Sequence, residues 1–213
     1  MDGLMETLNN INVIFYLAAY LIGAIPFGVV FAKQFAGVDV REAGSKSIGA
    51  TNVLRVVKEK DPALAKKLGA MTLAADALKA LIPLAVAAFI FKLDVSALWG
   101  MGVLAVLGHC FSPYLGFEGG KGVATAFGAL LFLAPLNSLV ALACWFVAAK
   151  LLKISSLSSL IGLVGLLASF YLPIPVVFDA GSMSPVVIIA ILVVYKHIPN
   201  IIRLVNGEEK KVV

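Results

Sequence analysis

ALLFLAPLNSLVALACWFVAAKLLK, residues 129–153, is an apolar run interrupted by Pro135 and the polar pair Asn137 and Ser138. The reading of this stretch decides the topology. Proline lacks a backbone donor and clashes with the preceding turn, so it either ends or kinks a helix. If Pro135 ends a helix, the run is a hairpin of two membrane segments. If Pro135 only kinks one, the run is a single span. The flanking charges separate these readings, because cytoplasmic loops of membrane proteins carry the excess of Lys and Arg. With a break at Pro135, Lys150 and Lys153 share a side with Lys33, Arg41, Lys46, Arg55, Lys58, Lys60, Lys66, Lys67, Lys121, Lys196, Arg203, Lys210 and Lys211. Only Lys92 then falls opposite. With a kink, Lys150 and Lys153 would join Lys92. The break is the better reading.

The composition makes this a membrane question. Of 213 residues, 61% are hydrophobic and 14% charged, against about a quarter charged in a soluble domain. A helix needs about 20 apolar residues to cross a bilayer, and no run alternates as a barrel strand would. Apolar stretches at 11–31, 70–91, 96–114, 122–133, 136–151, 156–172 and 185–198 predict an all-α polytopic integral membrane protein. The expectation is about seven transmembrane helices in one domain, residues 1–213, with the N-terminus outside and the C-terminus cytoplasmic. Asp2, Glu6, Asp94 and Asp179 fall in the outer segments. The acidic opening MDGLMETLNN lacks a basic leader region, so the first apolar stretch reads as a retained span. The net charge of +5 collects on one membrane face, which does not point to nucleic acid. Cys110 and Cys144 lie in or beside apolar segments and show no metal or disulfide spacing.

Three polar segments share the predicted cytoplasmic side. REAGSKSIGATNVLR, residues 41–55, is rich in small residues, whose backbone N–H groups can form an anion-binding nest. A helix start near Thr51 and Asn52 would add the positive end of a dipole. GHCFSPYLGFEGGKGVAT, residues 108–125, sets Gly119, Gly120 and Gly122 around Lys121 and carries His109. It is not a P-loop, because Leu115 and Gly122 occupy positions that need Gly and Ser or Thr. Glu118 is a candidate partner for Lys121. KHIPNIIRLVNGEE, residues 196–209, spaces His197, Asn200 and Arg203 to line one helical face, although Pro199 argues against one continuous helix. Arg55, Lys121, Arg203 and two histidines at one membrane face fit a phosphate-bearing substrate. Asp76 and Lys79 form an (i, i+3) pair inside a span, where charges are expensive. A structural ion pair bracing the first loop is the expectation for them.

GSKSIGATNVLR, GHCFSPYLGFEGGKGVAT and HIPNIIRLVNGEE resemble, in order and spacing, the three signature motifs of the PlsY family, bacterial acyl-phosphate:glycerol-3-phosphate acyltransferases. DALK, residues 76–79, resembles a further family feature, and the resemblance covers the whole chain. Two departures stand out. The family's first motif usually reads GSGNIGATN, where this chain has Lys46 and Ser47, and its second usually has a basic residue where this chain has Glu118. The resemblance implies transfer of a fatty acyl group from acyl phosphate to the 1-hydroxyl of sn-glycerol 3-phosphate. The products would be lysophosphatidic acid and phosphate, in the first acylation step of bacterial phospholipid synthesis. It implies an enzyme of the bacterial cell inner membrane with a cytoplasmic site in contact with membrane lipid. Its acyl phosphate would come from a soluble partner enzyme.

An acyl phosphate is already activated, so its transfer needs positioning and charge stabilisation more than a covalent nucleophile, and neither metal nor cofactor is expected. Ser45, Arg55, His109, Lys121 and His197 are the candidate catalytic residues. Gly44, Thr51, Asn52, Gly119, Gly120, Asn200 and Arg203 are candidates for substrate binding. Asp76, Lys79 and Glu209 are expected to be structural, Glu209 as partner to a basic residue. The resemblance assigns glycerol 3-phosphate to the second motif; Ser45, Thr51 and Arg55 are placed by the acyl phosphate. The hydroxyl proton has two possible acceptors, a histidine or a substrate phosphate oxygen. Neither histidine begins an H-x-x-x-x-D motif, since Tyr114 and Ile202 stand at the required spacing, which favours substrate assistance. The rival reading is a membrane transporter for an organic phosphate. Such transporters bind near the midplane between repeated halves, and this chain shows no repeat.

Overall fold

The computed structural model describes residues 11–211; the acidic opening stretch, with Asp2 and Glu6, lies outside them. The described residues form helices and no strand. In chain order these are α1 (Ile11–Gly23), α2 (Phe27–Ala36), α3 (Ala50–Lys58), α4 (Pro62–Phe89), α5 (Val95–Cys110), α6 (Val123–Leu133), α7 (Pro135–Leu152), α8 (Ser155–Ser169) and α9 (Ser184–Val205). A 3-10 turn, Pro113–Leu115, follows α5. Five segments are long and apolar enough to cross a membrane: Ile11–Ala36, Pro62–Phe89, Val95–Leu115, Pro135–Leu152 and Ser184–Val205. The other two expected spans are shorter apolar helices, α6 with 11 residues and α8 with 15.

Prolines punctuate these helices in three different ways. Pro135 separates two helices: α6 stops at Leu133, and α7 starts on the proline, where no intrahelical N–H is needed. Pro26 also breaks a helix, so the span expected over 11–31 is found as two helical pieces within one apolar segment, Ile11–Ala36. The chain leaves α1 at Gly23 and re-enters a helix at Phe27, with Pro26 at φ −90°, ψ 70°. Pro199 does the opposite. It lies inside α9, which nevertheless runs unbroken from Ser184 to Val205. Neighbouring groups can satisfy the freed carbonyls of a membrane helix. His197, Asn200 and Arg203 therefore do share one helix.

Close helix crossings rest on small residues, which let backbones approach. A Cβ on Gly23 of α1 would strike the Ala105 carbonyl of α5, and one on Gly108 of α5 would strike the Tyr20 carbonyl of α1. Gly128 brings α6 equally close to the Ala77 carbonyl of α4. Trp99, Leu98 and Met101 of α5 form the centre of the main core with Leu133 and Ile189. A second cluster, including Val40, Val53, Val57 and Leu68, seats the first loop and α3 on α4. Asp61 caps α4, accepting from the Ala63 and Leu64 amides at 2.9 and 3.0 Å. The helix has 28 residues, roughly 42 Å at 1.5 Å per residue, and outreaches a hydrocarbon core of about 30 Å.

Candidate active site

A cavity of about 520 Å³ joins all three polar segments. Its mouth carries Ser45, Ser47, Arg55, Lys121, Asn200 and Glu209, together with the first turn of α3 and of α8. Its lower part is apolar, lined by Leu73 and Ala77 of α4, Phe127 and Leu130 of α6, Leu142 and Trp145 of α7, and Leu163 and Leu166 of α8. One compartment thus offers cations and amides to a charged head and hydrocarbon to a tail.

The first loop is organised by Asn52. This residue is 1% exposed. Its amide nitrogen donates to the carbonyls of Val40, Ala43 and Ser47 at 2.8, 3.2 and 2.9 Å. Its side-chain oxygen accepts from the Ser45 amide at 2.8 Å. Asn52 lines the cavity, but its polar atoms hold the loop rather than project freely. Gly44 has φ +63°, and a Cβ there would collide with the Asn52 oxygen. The loop turns again at Lys46, φ +57°, the position where the resembled family usually has glycine. α3 begins at Ala50 with Gly49 as its cap, so Thr51 and Asn52 are in its first turn, and Gly49 to Asn52 all face the cavity. The Thr51 hydroxyl lies 3.1 Å from that of Ser155. Arg55 lines the cavity one turn further on and has no carboxylate partner among the described residues.

The second loop closes over His109. The Gly120 amide donates to the His109 carbonyl at 2.9 Å. A Cβ on Gly119 would strike that same carbonyl, and one on Gly120 would strike His109 Nε2. These glycines are therefore small to let the loop lie on the histidine, and neither lines the cavity. Lys121, set by them, does. Burial lowers its ammonium to a pKa of about 8, with Glu209 opposing this and Arg203 and Arg55 reinforcing it. That set of interactions also shows that Arg55, Lys121 and Arg203 converge. Glu118 is exposed and forms no salt bridge among the described residues, so its expected pairing with Lys121 is not found.

The third segment folds back over the mouth through Glu209. Its carboxylate accepts from Ser156 Oγ at 2.6 Å, Asn200 Nδ2 at 2.5 Å and Arg203 Nε at 2.6 Å. Burial alone would raise the Glu209 carboxyl, but these hydrogen bonds outweigh it and hold the group below its usual range. Arg203 is neutralised by this pairing and does not line the cavity. Asp76 and Lys79 are an ion pair of 2.7 Å. Lys79 braces the Ile25 carbonyl and the His109 ring, rather than the first loop as expected.

The family model described as glycerol-3-phosphate acyltransferase matches residues 13–207. The chain belongs to this family. A glycerol-3-phosphate acyltransferase of Sulfurimonas denitrificans is 57% identical over 209 residues, covering 98% of this chain and all of the relative. One from Campylobacter jejuni subsp. jejuni is 52% identical over 202 residues, covering 95% and 99% of the two chains. A crystal structure of PlsY (YgiH), an integral membrane glycerol 3-phosphate acyltransferase in its glycerol 3-phosphate form, superposes with a TM-score of 0.81. It is 35% identical, with 94% of each chain covered. Its lysophosphatidic acid form gives 0.79 at 33% identity.

The cavity also contains residues absent from the sequence candidates. Ser155, Ser156 and Ser159 line it from the first turns of α8. Serines at 155, 156 and 159, one helical turn apart at the start of an apolar stretch, were the available signal. The apolar stretch over 156–172 otherwise predicts plain membrane helix. Trp145 was hidden in the same way inside an apolar run.

Proposed function

We propose that this chain transfers a fatty acyl group from acyl phosphate to the 1-hydroxyl of sn-glycerol 3-phosphate. The products are 1-acylglycerol 3-phosphate and inorganic phosphate. The observation that carries this reading is the divided cavity: Arg55, Lys121 and the α3 N-terminus at its mouth, and an apolar floor beneath. Phosphates suit the first part, and an acyl tail suits the second.

Arg55, Ser45 and the first turn of α3 hold the phosphoryl group of the acyl phosphate, and Lys121 holds the phosphate of glycerol 3-phosphate. The 1-hydroxyl oxygen attacks the acyl carbonyl carbon and forms the new C–O bond. The tetrahedral intermediate then collapses, and the bond to the phosphate oxygen breaks with its electron pair leaving on phosphate. The hydroxyl proton passes to a phosphate oxygen, so the balance needs no other reagent. His197 binds and orients glycerol 3-phosphate: its Nδ1 is 2.7 Å from the Val193 carbonyl, which can only accept, so Nδ1 carries the proton and Nε2 keeps a lone pair that can accept from the non-reacting 2-hydroxyl.

The membrane reading follows the same geometry. Ser45, Arg55, Lys121, Ser155, Ser156, Asn200 and Glu209 meet at one mouth, as they would if α4 to α9 cross alternately. We place this mouth on the cytoplasmic side of the bacterial inner membrane, with seven crossings and the N-terminus outside. There a soluble enzyme can deliver acyl phosphate.

The test is a donor comparison. Purified protein in lipid vesicles receives glycerol 3-phosphate with acyl phosphate, acyl-CoA or acyl carrier protein. Acylglycerol phosphate and free phosphate should form with acyl phosphate alone. Turnover with acyl-CoA instead would overturn the donor assignment, and uptake of glycerol 3-phosphate without turnover would favour a transporter.

A further inference from the structure

Lys79 is 5% exposed, and Asp76 and His109 are 2% and 3% exposed. The Lys79 Nζ lies 2.7 Å from Asp76 Oδ1, 2.8 Å from the Ile25 carbonyl and 2.9 Å from His109 Nδ1. An ammonium has three N–H donors and no lone pair. The Ile25 carbonyl at the Pro26 break, which also accepts from the Phe27 amide, and the Asp76 carboxylate take two of them. The third reaches His109 only if Nδ1 is bare. A proton on Nδ1 would set one N–H against another. His109 Nδ1 is 3.7 Å from Asp76 Oδ1, too far for a hydrogen bond of its own.

A neutral ring with Nδ1 bare carries its proton on Nε2. That nitrogen lies against Gly120 and has no protein partner among the described residues, and the His109 ring lines the cavity. His197 is fixed in the opposite form by Val193. We propose that Lys79 is a positioning residue that locks His109 as the Nε2–H tautomer, making it a hydrogen-bond donor to a substrate oxygen and not a general base. What the donor touches rests on the acyl-transfer reading above; the tautomer does not.

Nitrogen NMR of 15N-histidine-labelled protein in lipid reads the tautomer directly. The chain has two histidines, so a His197→Asn sample assigns both. The charged groups facing His109 are Asp76 and Lys79 of α4 and Lys196 of α9. Wild-type His109 should show Nε2 protonated and Nδ1 bare, unchanged through neutral pH. In Lys79→Met the lock is gone: the ring should populate both tautomers and titrate. The pH–rate profile should gain a matching limb, and kcat should fall roughly 10²-fold, with the KM for glycerol 3-phosphate little changed. Nδ1–H or imidazolium in the wild type would overturn the lock. An unchanged tautomer and kcat in Lys79→Met would overturn the role of Lys79. If Lys79→Met does not fold, the wild-type spectrum alone decides. The expected spectrum with no turnover from any donor would overturn the acyl-transfer reading, and with it the donor role, while leaving the tautomer standing.

Discussion

Two groups of cations on this chain look alike in sequence and differ in structure. Lys33 and Arg41 converge on one carboxylate, with Asp39 Oδ2 at 2.9 and 2.6 Å from their nitrogens. Hydrogen bonds from Arg41 hold the Asp39 carboxyl well below its usual range. Arg55 and Lys121 face a cavity, and neither has a carboxylate within salt-bridge distance among the described residues. Glu209 is the acid closest to serving them, and it is occupied by Ser156, Asn200 and Arg203. A positive charge by itself therefore does not mark the site. The cations left without a counter-charge, Arg55 on α3 and Lys121 on the second loop, do.

Substitutions can break or sharpen this contrast. The largest effect is expected at Arg55, which faces the developing charge on the departing phosphate. Arg55→Ala should lower kcat by roughly 10²–10³-fold, whereas Lys33→Ala and Arg41→Ala should change it by less than about two-fold. Steady-state phosphate release measures all three. Equal losses at Arg41 and Arg55 would erase the distinction.

Lys121→Ala comes next. A charge-assisted hydrogen bond contributes about 1.5–3 kcal/mol, so the KM for glycerol 3-phosphate should rise roughly 10–100-fold. The response of kcat should be smaller.

A pH limb sharpens the same point. The Lys121 pKa in the unliganded protein is about 8, below the ordinary 10.5. The ammonium is present below that value and lost above it, so the KM for glycerol 3-phosphate should climb as pH passes about 8. Lys121→Arg, whose charge persists, should flatten the climb if it binds at all. Stability has the opposite sign. Burying the charged form is unfavourable, so unliganded protein should gain stability as pH rises from about 8 towards 10.5. Thermal unfolding across that range tests it.

The smallest effect belongs to the loop itself. Lys46 holds a left-handed backbone at φ +57°, which costs an L-residue energy that glycine avoids. Lys46→Gly should leave turnover unchanged and raise unfolding stability by up to about 1 kcal/mol, less whatever glycine adds to unfolded-chain entropy.

Much of this architecture was legible before any coordinates. The apolar stretches are largely helical, and Pro135 separates two helices, the break that the charge distribution favours. The three polar segments met at one cavity because their spacing placed them at helix ends. Other features depended on contacts that no local pattern reveals. Pro26 and Pro199 are both prolines in apolar runs, yet one breaks its helix and the other does not; neighbouring helices decide which carbonyls are satisfied. Asn52 and Gly120 looked like ligand contacts because small and amide residues suit both ligands and tight loops. Tertiary packing gave them to Val40 and His109. Arg203 is near the cavity but spent on Glu209, a partner six residues along the chain. The serines of α8 read as ordinary membrane residues until Thr51 and Glu209 were found against them.

Equilibrium binding of glycerol 3-phosphate, without an acyl donor, tests the central claim most directly. Wild type, Lys121→Ala and Arg41→Ala would be compared in lipid nanodiscs by calorimetry. Arg41→Ala should bind as wild type does, and Lys121→Ala should bind at least about ten-fold more weakly, the loss of some 1.4 kcal/mol. Undiminished binding by Lys121→Ala, or equal weakening in both variants, would contradict the account.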